Sequence, residues 1–130
     1  MNRDVSLQSY AARYAHLRGR NPETDVVFAC LQAARLHRVV AWCERMNSGA
    51  GRIWNTKTQR LSQFIRFGFP GCPDILGQLR TGRLLAIECK FARGELSYAQ
   101  RRFLLHAQQH GALVIIARDP LKVIAELDQW

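Results

Sequence analysis

Two acidic residues and a lysine lie beside apolar runs of the sequence, where charged side chains require a compensating partner. Asp74 follows Pro73 at the start of one run, and Glu88 and Lys90 come at the end of another. A buried charge that has lost its partner costs about 3–5 kcal/mol. Carboxylate oxygens are the ligands that hard divalent cations prefer. These residues therefore suggest a metal site with a lysine beside it.

The stretch from residue 84 to residue 91 is predicted to be a buried strand. It begins with four apolar residues and is too short for a surface helix. Side chains alternate between the two faces of a strand, so Glu88 and Lys90 share one face, about 7 Å apart, and Cys89 occupies the other.

A hairpin is predicted to join this strand to the run at residues 74–79. Residues 80–82 form the connection, and Gly82 occupies the third loop position, which favours a left-handed residue. The resulting register places Asp74 directly opposite Glu88, with about 4.5–5.5 Å between their Cβ atoms.

Two opposed carboxylates repel each other across a strand pair, and a divalent cation between them removes the repulsion. We therefore predict that Asp74 and Glu88 bind a cation, with the backbone carbonyl of Cys89 as a further oxygen ligand. The alternative is a surface hairpin whose charges are solvated.

Three short motifs carry a resemblance to a known group of nucleases. They are GxPD ending at Asp74, ExK ending at Lys90 and LSxxQ ending at Gln100. Together they resemble the PD-(D/E)xK nuclease superfamily and, within it, the VRR-NUC (virus-type replication-repair nuclease) family, over residues 23–117. The resemblance implies an α/β fold with a restriction-endonuclease-like core, in which helices flank a mixed β-sheet.

The resemblance also implies a catalytic set and a cofactor. Lys90, Asp74, Glu88, Gln100 and Glu23 would form the active site of an endonuclease that uses Mg²⁺ or Mn²⁺ and leaves a 5′-phosphate. Glu23 matches a first-helix glutamate of the family and would be a metal ligand, although an acid in a first turn also complements the helix dipole. Gln100 would line the site, although its spacing from Ser97 also fits a capping box.

The charge of the chain favours a polyanionic partner. The formal net charge is +9, and sixteen of the nineteen basic residues are arginines, which bind phosphate oxygens well. We predict DNA as the partner and no small-molecule cofactor. The candidate DNA-binding residues are Arg45, Asn47, Ser48, Arg52, Arg66, Arg93, Arg101 and Arg102.

Several functions are compatible with these residues. Single-domain members of the family resemble homodimeric enzymes that resolve Holliday junctions, whereas members fused to other domains resemble 5′-flap nucleases. A basic DNA-binding module without catalysis would explain the charge but not the opposed acids. We expect a cytoplasmic protein of a bacterium or a phage-infected cell, because no stretch is apolar enough to span a membrane.

One domain is predicted at residues 21–130, after a basic helical extension at residues 1–20. Residues 39–43 are predicted to be a strand and residues 47–51 a turn. Residues 52–67 alternate basic with aromatic residues, which fits a nucleic-acid face, but an amphipathic strand pair is the alternative; Phe64 and Ile65 are predicted to be core residues, and the position of Trp54 is left open. The four cysteines are predicted to be reduced core residues. The remaining predicted elements are a helix from residue 22 to about 37, a helix at residues 97–110, a parallel strand at residues 113–117 and a helix at residues 120–127.

Overall fold

The computed structural model describes residues 22–46 and 49–130 and has an α/β architecture. The predicted extension at residues 1–20 lies outside this part. The fold class predicted from the sequence, a mixed sheet flanked by helices, is confirmed. The elements in chain order are α1 (Pro22–Leu36), β1 (Val40–Arg45), β2 (Gly49–Gly51), β3 (Trp54–Asn55), β4 (Arg60–Leu61), β5 (Ile65–Phe67), β6 (Ile75–Leu79), β7 (Leu84–Cys89), α2 (Tyr98–Gln109), β8 (Leu113–Ala117) and α3 (Pro120–Leu127).

A four-stranded sheet in the order β1-β6-β7-β8 forms the centre of the fold. The pairs β1–β6 and β6–β7 are antiparallel, and β7–β8 is parallel, with α2 as the crossover between its two strands. The predicted hairpin register is confirmed, because Ile75 pairs with Ile87 and the Leu79 amide donates to the Arg83 carbonyl at 2.8 Å. Gly82 has the expected left-handed backbone, with φ of +93°.

The two faces of the sheet are covered by different helices. The main core lies between the sheet and the pair α1 and α3, and it contains Leu85, Ile87 and Cys89 from β7. Helix α2 covers the opposite face, to which Glu88 points. All four cysteines are buried as free thiols, as predicted for core residues. Within residues 22–46 and 49–130, every helix is too short or too polar to cross a bilayer.

Residues 49–67, here called the arm, form two small antiparallel pairs, β2–β5 and β3–β4. Two predictions are wrong in this region. Residues 49–51 are a strand paired with β5 rather than part of a turn, and Phe64 and Ile65 are 69% and 37% exposed rather than core residues. The pairing partners of β2 to β5 all lie within the arm, so these strands do not extend the central sheet.

Candidate metal and catalytic site

Asp74 is fixed at the end of the central hairpin by two hydrogen bonds. It lies one residue before β6, and its Oδ2 accepts from the Cys89 amide at 2.8 Å. Its backbone carbonyl accepts from the Met46 amide at 2.7 Å, beyond the end of β1. The carboxylate is thereby held across from Glu88, as the register of the hairpin requires.

Glu88 is a buried carboxylate whose two oxygens differ in their contacts. Its side chain is 2% exposed, and its Oε1 accepts from Gln100 Nε2 at 2.8 Å and lies 3.4 Å from Lys90 Nζ. Its Oε2 is buried and has no hydrogen-bond partner among the described residues. Burial, followed by the negative charge of Asp74, raises the pKa of Glu88 to about 7, against the opposing effect of Lys90.

A buried oxygen without a protein partner is uncommon in folded proteins and is explained by a bound water, an ion or a catalytic role. Here it lies beside a second carboxylate whose charge already acts on it. The Glu88 Oε2 could coordinate a divalent cation, whose charge would offset the repulsion between the two carboxylates. Asp74 and Glu88 therefore fit the cation that the sequence predicts. The Cys89 carbonyl stays a predicted metal ligand. The structure shows in addition that the Cys89 backbone amide donates to Asp74 and so orients its carboxylate.

Gln100 connects the start of α2 to both charged residues of β7. Its Oε1 accepts from the Ser97 amide at 2.8 Å and from Lys90 Nζ at 3.1 Å, and its Nε2 donates to Glu88. Ser97 Oγ in turn accepts from the backbone amide of Gln100, which completes the capping box. The two interpretations of Gln100, helix cap and site residue, are therefore compatible in one conformation.

A tight loop brings the chain to Asp74 and rests on the start of α2. Gly71 has φ of +81°, and a Cβ atom built on it would lie 2.2 Å from the Ala99 carbonyl oxygen. Phe69 packs against Phe103 with 4.9 Å between ring centroids. Only glycine combines this backbone with so close an approach, so Gly71 keeps Asp74 and the helix that carries Gln100 together.

The loop after Lys90 is held by an arginine that the sequence does not distinguish from the others. The Arg118 guanidinium donates to the carbonyl of Ala92 and, at 3.0 Å, to that of Gly94. Ala92 adopts φ of +50°, which is unfavourable for a residue with a side chain. The Lys90 amide also donates to the Ala117 carbonyl at 2.9 Å, so the end of β8 supports the backbone on which Lys90 stands.

Glu23 is exposed in the first turn of α1. Across residues 22–46 and 49–130, no three His, Cys, Asp or Glu side chains are grouped so that they could hold a metal. The structure thus brings Asp74, Glu88, Lys90 and Gln100 together but does not add Glu23 as a third acid of such a group. Its role as a metal ligand stays a prediction.

The candidate DNA-binding residues are distributed over several elements. Arg45 lies at the end of β1 with its guanidinium carbon 5.1 Å from the centroid of the Phe28 ring. Arg102 borders a groove of about 600 Å³ that Tyr98 and His106 also line. Asn47 and Ser48 lie outside the described residues, and Arg66 belongs to β5. The remaining three are exposed arginines, namely Arg52, Arg93 and Arg101, and Arg102 is exposed as well.

Comparison with protein families gives a match over most of the chain. A family model described as VRR-NUC domain matches residues 19–119, most of the chain, including all three motifs. No match was found among curated proteins or among solved structures.

Proposed function

Because the chain belongs to the VRR-NUC family and is a nuclease of the virus-type replication-repair kind, we propose that it is a Mg²⁺- or Mn²⁺-dependent endonuclease of branched DNA. One observation carries the metal dependence. The buried Oε2 of Glu88 has no protein partner among the described residues, and it lies beside the Asp74 carboxylate.

Asp74 and Glu88 would hold the cation, with the Cys89 carbonyl as a further ligand and Glu23 contributing directly or through water. When bound, the cation would lower the pKa of a coordinated water and neutralise charge that develops on the phosphate. The Cys89 amide keeps Asp74 oriented, and Gln100 Nε2 occupies Oε1 of Glu88, so that Oε2 is the oxygen left for the cation.

Lys90 would act on the phosphate or on the attacking water. Its Nζ is held 3.1 Å from Gln100 Oε1 and 3.4 Å from Glu88 Oε1, so its charge is placed before the substrate arrives. Because the Lys90 ammonium group is already in place, it would stabilise the negative charge of the pentacoordinate phosphate without further rearrangement. The expected products carry a 5′-phosphate and a 3′-hydroxyl, as in the enzymes that the motifs resemble.

The proposed substrate is a Holliday junction, cut by a homodimer whose two active sites act on two strands in the cytoplasm of a bacterium or an infected cell. The net charge of +9 supports binding to DNA. The exposed arginines Arg52, Arg93, Arg101 and Arg102 would contact phosphates, together with Arg45, Asn47, Ser48 and Arg66. A 5′-flap nuclease is the alternative with the same active site.

A cleavage assay tests the substrate and the metal. Labelled four-way junction, 5′-flap, single-stranded and duplex DNA are incubated with Mg²⁺, Mn²⁺ or EDTA, and the products are separated on gels. We expect metal-dependent cleavage that is fastest on the junction, and a dimer by light scattering. A monomer that prefers flaps would replace the junction proposal, and binding without any metal-dependent product would refute the endonuclease.

Substitutions at the site test the assigned roles. Lys90→Ala and Asp74→Ala should each slow cleavage by about 10²–10³-fold or more, because each removes charge that acts on the reacting phosphate or holds the cation. Both variants should still bind DNA and should still unfold cooperatively on heating, which shows that they are folded. The matched control is Lys122→Ala, since Lys122 pairs with Glu126 on α3 at 2.7 Å, outside the site. Unchanged cleavage in either site variant would contradict the mechanism.

A further inference from the structure

Several large apolar side chains of the arm are exposed to solvent. Trp54 and Leu61 are directly paired between β3 and β4, and both are about half exposed, as is Ile53. Phe64 is 69% exposed before β5 begins. Exposed apolar side chains that are direct neighbours, as Trp54 and Leu61 are, indicate a binding surface, and a two-stranded hairpin without a partner is only marginally stable in water.

Both ends of the arm are attached beside the candidate catalytic site. On the entering side, the Met46 amide donates to the Asp74 carbonyl at 2.7 Å. On the returning side, the chain passes from Phe67 through the Gly71 loop, which rests on the start of α2, and reaches Asp74 within seven residues. The arm therefore leaves the central fold and returns to it next to Asp74.

The charge of the arm selects the kind of partner. Residues 49–67 contain four basic residues and no acidic residue: Arg52, Lys57, Arg60 and Arg66. Two copies of this chain facing each other through their arms would bring like charges together, which opposes association. A polyanion that also offers flat apolar surfaces suits both the basic and the aromatic side chains.

We propose that the arm binds unpaired nucleotides of the DNA beside the cleaved phosphate, with Trp54 and Phe64 stacking on their bases. This inference rests on the proposed function and specifies its substrate. Bases in a duplex are stacked on each other, whereas bases of an opened branch or a single strand expose their faces. Aromatic side chains that alternate with basic ones are the usual platform for such strands. The arm would thus hold bases that unpair at the branch point of the junction, beside the cut.

The test measures binding in EDTA, so that it does not depend on cleavage. Fluorescein-labelled oligothymidine and an abasic strand of the same length carry the same phosphates, but only the first has bases. Trp54→Ala and Phe64→Ala should each weaken binding of oligothymidine by roughly 5- to 150-fold and change binding of the abasic strand much less. Trp54→Phe, which keeps a ring, should retain most of the affinity.

Matched controls separate stacking from other effects. Trp42 is 51% exposed on β1 of the central sheet, close to the 52% of Trp54, so Trp42→Ala removes a tryptophan of equal exposure outside the arm, together with its hydrogen bond to Gln78, and should leave both affinities unchanged. Phe64→Leu keeps an apolar side chain but removes the ring, so it should weaken binding of oligothymidine. This variant still tests stacking if Phe64→Ala does not fold.

Two outcomes would overturn the proposal. The first is an equal loss for oligothymidine and the abasic strand, which would assign the arm a role in charge or folding. The second is a dimer that becomes monomeric in Trp54→Ala while the affinity for oligothymidine is kept, which would assign the arm to a second copy. Absence of nuclease activity in the unaltered chain would refute the proposed function but leave this binding result standing.

Discussion

Replacing Glu88 with glutamine should stabilise the metal-free protein at high pH while abolishing its response to cations. The side chain is 2% exposed, and burial together with the charge of Asp74 opposes its ionisation. Glutamine keeps the shape and can still accept from Gln100 Nε2, but it carries no charge. The variant therefore removes the destabilising charge and the metal ligand in one step.

The magnitude follows from the pKa of Glu88, which is raised from its ordinary value of 4.5 to about 7. Between these values the folded state binds more protons than the unfolded state, so stability falls as the pH rises through this window. At about 1.4 kcal/mol per pKa unit, the ionised side chain costs the folded protein roughly 3 kcal/mol above pH 7. Below pH 4.5 the carboxyl is neutral in both states and the cost vanishes.

Urea unfolding in EDTA at pH 5 and pH 8 is the assay. Glu88→Gln should exceed the unaltered protein by roughly 2–3 kcal/mol at pH 8 and by much less at pH 5. Adding Mn²⁺ should stabilise the unaltered protein at pH 8 but not the variant, because only a protein that binds the ion gains from it. Glu95→Gln, at an exposed position near the site, is the control and should show neither effect.

The reasoning would be refuted if Glu88→Gln destabilised the protein equally at both pH values. That result would mean that the side chain acts through neutral packing or hydrogen bonding, and not as a buried charge awaiting a cation. Equal stabilisation of the variant and the unaltered protein by Mn²⁺ would separately remove Glu88 from the metal site.

Two further predictions concern how the site is held. Gly71→Ala should destabilise the protein by about 2–4 kcal/mol in chemical denaturation, because the added Cβ would lie 2.2 Å from the Ala99 carbonyl oxygen on a backbone with φ of +81°. Gly82→Ala, with φ of +93° but nothing within 4 Å, should cost only about 1–2 kcal/mol, and equal losses would contradict the packing argument. Ser97→Ala should cost about 1 kcal/mol through loss of the cap on α2, and Ser97→Thr should restore most of it; if threonine behaved like alanine, the hydroxyl would not be the stabilising group.

The predictions that succeeded depend on local rules. Alternation along a strand and a glycine in the third loop position are enough to set the register of the β6–β7 hairpin, and Gly82 has the expected backbone. The serine and glutamine of α2 form the capping box that their spacing predicts. These features involve residues that are neighbours in sequence or joined by a short loop, so little of the rest of the chain is needed to fix them.

The predictions that failed concern burial away from the central sheet. Phe64 and Ile65 have the composition of core residues, but the arm pairs only with itself and these side chains stay exposed. Apolar character shows that a side chain gains from leaving water, but not whether another layer is present to cover it.

The sequence by itself determined the acids, the lysine, the hairpin that opposes Asp74 to Glu88 and the basic charge that favours DNA. Only the tertiary structure decided that Glu88 is buried with one oxygen that finds no partner among residues 22–46 and 49–130, that Gln100 contacts both Glu88 and Lys90, and that Arg118 supports the loop beyond Lys90. The physical reason is distance along the chain. Register and capping arise from local backbone geometry, whereas desolvation and hydrogen bonding at the site depend on which remote elements pack over it.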